Sequence, residues 1–326
     1  MAVAPDELRV VRAAQIRERG ADEHRWLIKP LWGAGAVGII GGAPKSCKTW
    51  LALEMAVAVA SGQPCLGRFC VPSPGPALLF AAEDAPHNLK RRIESLARAR
   101  QADFESLDVR LIIENSLRLD RERDLKRLHL TLARHRPRLL VLDPYVRLQR
   151  ADENDARQVS AILSALRELS RTYETAVALV HHARKNGAEL PGRALRGSGD
   201  FWAWGDSNLY VARKREGLLL TVEHRAAPSP APLCLQLLAP EGAQDEKIPV
   251  RLEIQDVASP TNSTPLSERI IAYLREAGPT RHRTLRGALR VRDTYLSETL
   301  RALEASGHLA RTPLGWSLAS TQQPFP

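Results

Sequence analysis

Short apolar runs alternate with longer amphipathic stretches over most of this chain, and no other feature restricts its fold as much. Strand-like runs occupy 36–41, 77–82, 109–113, 139–143, 176–181 and 208–212; stretches of helical period occupy 48–60, 87–99, 121–134 and 156–173. A strand that is apolar along its whole length is buried on both faces, and helices between such strands supply the cover. The pattern predicts an α/β domain with a mostly parallel sheet and helices packed on it. Runs 218–223 and 233–238 would close the sheet as an antiparallel pair, joined by the Pro-rich loop 226–232. Residues 1–30 read as a polar, helical lead-in. The 326 residues allow one such domain, 1–258, a Ser/Thr/Asn/Pro linker at 259–265 and a small second domain, 266–326.

Between the first strand and the first helix stands Gly42-Ala43-Pro44-Lys45-Ser46-Cys47-Lys48-Thr49, with Trp50 opening the helix. It has the order of a phosphate-binding loop, GxxxxGK[ST], in the strand–loop–helix setting that loop requires. Backbone N–H groups of the loop and helix N-terminus would face the phosphates of ATP. Lys48 would oppose the β and γ oxygens, and the Thr49 hydroxyl would ligate Mg²⁺. One position departs. Cys47 stands where the pattern has glycine, and a Cβ there narrows the backbone's choices close to the phosphates. The departure bears on turnover more than on binding.

Other strand ends carry the rest of such a site. In a parallel sheet the carboxyl ends of the strands form the ligand-bearing edge. Glu83, after Leu78-Leu79-Phe80-Ala81-Ala82, is placed to orient and deprotonate an attacking water, whereas Asp84 suits the cap of the next helix. Asp143, ending Leu139-Leu140-Val141-Leu142, is a second Mg²⁺-shell residue. One of His181 and His182 would meet the nucleotide, with His182 the candidate. Arg196-Gly197-Ser198-Gly199 adds a glycine-rich loop with a cation, and Arg225 closes a strand from which it would reach the ATP of a neighbouring copy.

These residues, in this order, resemble a known family. Trp26-Leu27-Ile28-Lys29-Pro30-Leu31, the loop from Gly41 to Leu53, Phe80-Ala81-Ala82-Glu83-Asp84, Leu142-Asp143-Pro144 with Asp152-Glu153-Asn154, Val180-His181-His182-Ala183-Arg184-Lys185 and Arg196-Gly197-Ser198 are similar to the RepA-like AAA-family ATPases. Those are RecA-fold relatives of the DnaB-type hexameric replicative helicases. The resemblance covers roughly 24–240. It implies a RecA-like P-loop NTPase core and a homohexameric ring with ATP at subunit interfaces. It places the catalytic base at Glu83 and makes Arg225 the best match for an arginine finger. Asp152-Glu153-Asn154 would lie in a loop facing the ring channel, bridging to Arg184 and Lys185.

Beyond the linker come helical patterns at 266–277, 283–291 and 294–306, then a strand–turn–strand at 308–318, an order that resembles a winged helix-turn-helix. Ile270, Ile271, Leu274, Leu285, Leu289, Leu296, Leu300 and Leu303 would form its core. Thr294, Tyr295, Ser297, Glu298 and Arg301 would face outward. From Thr264 onward the chain carries a surplus of four positive charges, and the whole chain carries +10. Both favour a polyanionic partner. DNA is therefore expected, single-stranded through a ring and duplex at the small domain. No membrane-length apolar run and no basic-then-apolar leader appears, and the four cysteines form no CxxC or zinc pattern, so a cytoplasmic protein with free thiols is expected. Two readings follow. One is an ATP-driven helicase or translocase serving replication of a mobile element. The other is a nucleotide-gated DNA-binding regulator or recombination mediator with little or no hydrolysis.

Overall fold

The computed structural model describes residues 10–15, 25–149, 155–182, 200–214, 217–238, 250–255, 266–289 and 293–319. The chain divides into two compact units, Met1–Gln255 and Asp256–Pro326. The linker 259–265, Asp152-Glu153-Asn154, Ala183-Arg184-Lys185, Arg196-Gly197-Ser198-Gly199, Arg290 and Arg292 lie outside the described residues.

The first unit begins with a 3₁₀ turn, Ala13–Gln15, and an antiparallel pair, β1 (Trp26–Ile28) and β2 (Trp32–Gly33). This corrects the expected helical lead-in at 26–28. An aromatic and two branched apolar residues shortly before Pro30 favour extended backbone, and Leu27 and Ile28 are buried in the main core.

Then come β3 (Val37–Gly42), α1 (Lys48–Ser61), β4 (Ala77–Ala81), α2 (Pro86–Ala99), β5 (Val109–Leu111), α3 (Glu122–His135), β6 (Leu139–Asp143), α4 (Ala156–Tyr173) and β7 (Ala176–His182). A short helix, α5 (Asp200–Trp204), precedes β8 (Ser207–Lys214), β9 (Gly217–His224), β10 (Leu233–Leu238) and β11 (Arg251–Gln255). The sheet has nine strands in the order β11-β10-β9-β8-β3-β7-β6-β4-β5. From β8 to β5 every pairing is parallel; β9, β10 and β11 continue it antiparallel. The sheet is thus mixed, its parallel half carrying the helices.

Both faces of the parallel half are covered. Ile40, Leu79 and Val141 pack with α1 and α2, while their neighbours Ile39, Leu78 and Leu140 pack with α3 and α4. That is why these strands read as unbroken apolar runs. Helix α1 is buried over most of its length, which explains why it is apolar on all sides. Among the described residues no helix is long and apolar enough to cross a membrane, and the four cysteines are free.

The second unit contains α6 (Leu266–Ala277), α7 (His282–Leu289), α8 (Asp293–Ala305) and an antiparallel hairpin, β12 (Leu309–Thr312) and β13 (Gly315–Leu318). The leucines expected at its centre are buried there with Ile270 and Trp316, and Ile271 packs against them. Backbone hydrogen bonds of 2.9 Å in both directions join Thr280 to Trp316 and hold the hairpin against the α6–α7 turn.

Candidate functional site

The carboxyl ends of β3, β4, β6, β7 and β8 share one edge of the sheet because those strands run parallel. In register, Gly42 lies beside His182 and Val211, and Ala81 beside Asp143. Gly42 is required where β3 turns into the loop: a Cβ there would stand 2.3 Å from the Val211 carbonyl oxygen and 2.7 Å from Ser46 Oγ. The loop then folds on itself, with Ser46 N–H donating to the Ala43 carbonyl at 3.3 Å. Ser46 Oγ is buried and has no partner among the described residues.

Cys47 caps α1 with φ +64° and no side-chain hydrogen bond. The first N–H groups of a helix have no partner within it, so those of α1 are available at the loop. Left-handed backbone costs a residue with a Cβ about 1–2 kcal/mol. Glycine's larger unfolded-state freedom offsets roughly 0.5–1 kcal/mol of any gain. Cys47→Gly is therefore expected to stabilise the protein by up to about 1 kcal/mol, read as a higher denaturation midpoint with unchanged slope.

A cleft of about 360 Å³ opens here, bounded by the loop, Glu83, Asp84, Asp143 and His182. Lys48 is buried, and its ammonium donates to the Ala43 carbonyl at 2.7 Å. Burial pushes its pKa down, opposed chiefly by the charge of Asp143. Thr49 Oγ1 donates to Asp143 Oδ2 at 2.6 Å. Burial pushes Asp143 up to about 6; the Thr49 hydrogen bond and Lys48 restrain the shift, while Asp84 and Glu83 add to it. Burial also raises the Cys47 pKa against Arg213 and Lys48, so this residue presents a thiol rather than a thiolate.

The Asp143 shift has a definite sign. Folded, the carboxyl holds its proton to about pH 6; its ordinary value is 3.8. The folded state binds more protons between those values, so this group's contribution to stability falls as pH rises from about 4 to 6. At neutral pH the burdened carboxylate costs on the order of 3 kcal/mol. Asp143→Asn should therefore gain stability relative to wild type at pH 7.5, and the difference should shrink by pH 4.5, as read from denaturant midpoints.

Glu83 follows β4 and pairs with Arg147 Nε at 3.0 Å, both side chains about half exposed. Arg147 ends the 3₁₀ turn Tyr145–Arg147 after β6. Asp84 pairs with Arg92 at 2.7 Å, and the Arg92 guanidinium lies 5.4 Å from the Trp50 ring centroid. His182 lines the cleft, whereas His181 is buried, stacked at 4.3 Å on Phe201 and edge-on to Tyr145.

Arg225 lies elsewhere on this chain. Strand β9 runs antiparallel to β8 and pairs His224 with Ser207, the first residue of β8, so β9 ends at the opposite edge of the sheet. There Arg225 faces Asp206 at 3.4 Å and donates to the carbonyls of Ala203 and Trp204. Sequence reasoning missed Arg213, which donates to the Lys45 carbonyl at 3.0 Å. No local signal marks it: Arg213 stands two residues beyond Val211, which only the β3–β8 pairing brings beside Gly42.

The family profile described as "AAA domain" matches residues 4–188, more than half of the chain. The chain belongs to the AAA-domain family. In this AAA domain the P-loop NTPase fold is an ATP-binding one, and its mixed sheet with flanking helices is consistent with a RecA-like core. Among solved structures the chain is similar to the RadB recombinase, at 17% identity and a TM-score of 0.47, covering 67% of this chain and 90% of that one. It is also similar to the KaiC-like protein PH0186 from the hyperthermophilic archaeon Pyrococcus horikoshii OT3, at 15% identity and a TM-score of 0.49, covering 70% and 93%. No curated protein matches the sequence.

The donors in this AAA domain fit Mg²⁺. A hydroxyl and a buried carboxylate converge at 2.6 Å, and this ion is usually held by one or two carboxylates together with substrate phosphates. Among the described residues no group of three or more His, Cys, Asp and Glu could hold a metal ion.

Proposed function

We propose that this AAA domain hydrolyses ATP and that the protein uses the cycle to move along DNA as a helicase or translocase. The observation that carries the reading is the 2.6 Å pair of Thr49 hydroxyl and Asp143 carboxylate beside buried Lys48. Two carboxyl-bearing strand ends and a cationic loop meet there for no evident structural benefit, since Asp143 is buried at a cost.

Residues Gly42 to Trp50 would hold the phosphates, with the α1 N–H groups and Lys48 supplying positive potential. Mg²⁺, held by Thr49 and Asp143, would neutralise charge on the β- and γ-phosphate oxygens. Glu83 would take a proton from a water attacking the γ-phosphorus as the bond to ADP breaks. For that it must give up Arg147, a half-exposed pair worth about 1 kcal/mol or less. His182 would face the γ-phosphate. Arg225, on the opposite edge of its own sheet, would act on the ATP of a neighbouring subunit in a homohexamer. Resemblance to the RepA-like ATPases supports the ring, a single strand of DNA through it, and service in replication of a mobile element. The order of the second unit supports a winged helix that binds duplex DNA.

A specific observation favours a second reading, a nucleotide-gated DNA-binding regulator or recombination mediator. Cys47 holds the loop in a conformation suited to glycine, which would permit binding with slow turnover. ATP hydrolysis with and without single-stranded DNA separates the two. The motor reading expects turnover stimulated by single-stranded DNA and abolished by Glu83→Gln. ATP bound without turnover in the wild type would sink it, and turnover appearing only in Cys47→Gly would establish the second reading.

A further inference from the structure

The second unit contains a basic pocket of its own. It has a volume of about 370 Å³ and is lined by the start of α7, by α8 and by the hairpin. Arg281 stands just before α7, Arg301 on α8 and Arg311 on β12. His282 and Ser297 join at 3.2 Å between the two helices. The Arg311 guanidinium lies 4.7 Å from the Trp316 ring centroid, and its Nε is 3.5 Å from Glu304. Glu304 is the acid that answers Arg311. Among the described residues neither Arg281 nor Arg301 has an acidic partner.

The pocket is built rather than incidental. The hairpin is held against the α6–α7 turn by the paired Thr280 and Trp316 backbones. Gly315 allows that approach: at φ +127° a Cβ would stand 2.3 Å from the Thr280 carbonyl oxygen. Three arginines, from the α6–α7 turn, α8 and β12, therefore line one small volume. Arginines gathered in this way select an anion with several acceptor oxygens.

We propose that this pocket holds a backbone phosphate of duplex DNA, with α8 lying along the groove beside it. Along 296–305 of α8, Ala302 and Ala305 are exposed with Glu298 and Arg301, while Leu296, Leu300 and Leu303 face the core. A helix with such a surface fits a major groove about 12 Å wide. A hairpin arginine beside it then meets the phosphate at the groove's rim. This deepens the DNA-binding half of the proposed function and does not depend on ATP hydrolysis.

The test measures binding of a fluorescent duplex of about 20 base pairs (about two helical turns), and of one of its single strands, by the full chain across a salt series. Arg281→Gln/Arg301→Gln should weaken binding about tenfold or more and reduce the slope of log K against log salt by about 1. Arg275→Gln/Arg283→Gln removes the same net charge outside the pocket and should weaken it less than about threefold. An unchanged far-UV circular dichroism spectrum and unchanged unfolding midpoints for both units verify that the pocket variant is folded. Equal loss in both double variants would overturn the pocket in favour of diffuse charge. Loss confined to a single-stranded probe would overturn the duplex assignment. A wild type that binds no duplex would sink both this inference and the duplex part of the proposed function; binding that ignores the pocket variant would sink the inference alone.

Discussion

Lys48→Ala should weaken binding of Mg²⁺-loaded ATP by about ten- to a hundredfold, the loss expected for a hydrogen bond to a charged group. Lys48 is buried at the base of the cleft and tied to a loop carbonyl, so its ammonium is already desolvated and aimed. Little conformational entropy remains to be lost when a phosphate takes the place of that carbonyl. Alanine relieves the burial of a charge, so the fold should survive and the loss should be one of affinity. It also removes one of the charges restraining Asp143. The Asp143 pKa should therefore rise further, and metal-dependent binding in this variant should fail at a higher pH than in wild type. Calorimetric titrations at pH 6 and pH 8 check both effects.

Arg100→Ala should cost about 3–5 kcal/mol of stability, the usual result of leaving a buried charge without its partner. Glu54, in the middle of α1, is fully buried, and its Oε1 accepts from Arg100 at 2.7 Å and from Leu66 N–H at 2.7 Å. Arg100 stands at the end of α2 and also donates to the Leu252 carbonyl on β11 at 2.8 Å. One ion pair thus ties both helices of this face to the antiparallel edge. Burial pushes the Glu54 pKa up, against the pull of Arg100 and of the Leu66 N–H. Without Arg100 that rise should grow, so the variant's deficit should be largest at neutral pH and shrink as the solution is acidified and the carboxyl takes a proton. Replacing both partners together, Glu54→Leu with Arg100→Met, should recover much of the loss. Guanidinium denaturation of the wild type and of both variants at pH 5 and pH 7.5 measures the loss and the recovery.

The parts of the candidate site that follow the chain locally were legible in the sequence. The loop is a strand, a turn and a helix in one stretch, and Glu83 and Asp143 each end an apolar run, so their shared edge follows once the strands are parallel. What needed register was not legible. His181 and His182 differ only in which face of β7 each side chain takes, and the partners Phe201 and Tyr145 decide it. Arg213 reaches the loop because β8 lies beside β3, a pairing between residues far apart in sequence. Arg225 closes a strand, but an antiparallel one, so its end lies away from the edge that the parallel strands share. The Trp26–Ile28 strand was obscured by the polar residues before it, whose pattern masked a short extended segment with two buried residues, Leu27 and Ile28. The Glu54–Arg100 pair left no sequence signal, since a glutamate in an apolar helix and an arginine at another helix's end acquire meaning only when packed.

Calorimetric titration of the wild-type chain with ATP tests most directly whether this cleft takes a nucleotide through Mg²⁺ at Thr49 and Asp143. One saturable site per chain is expected in the presence of Mg²⁺, lost on chelation and lost in Thr49→Ala/Asp143→Asn while that variant remains folded. Binding that persists unchanged without Mg²⁺ and in that variant, or no saturable binding at all, would contradict it.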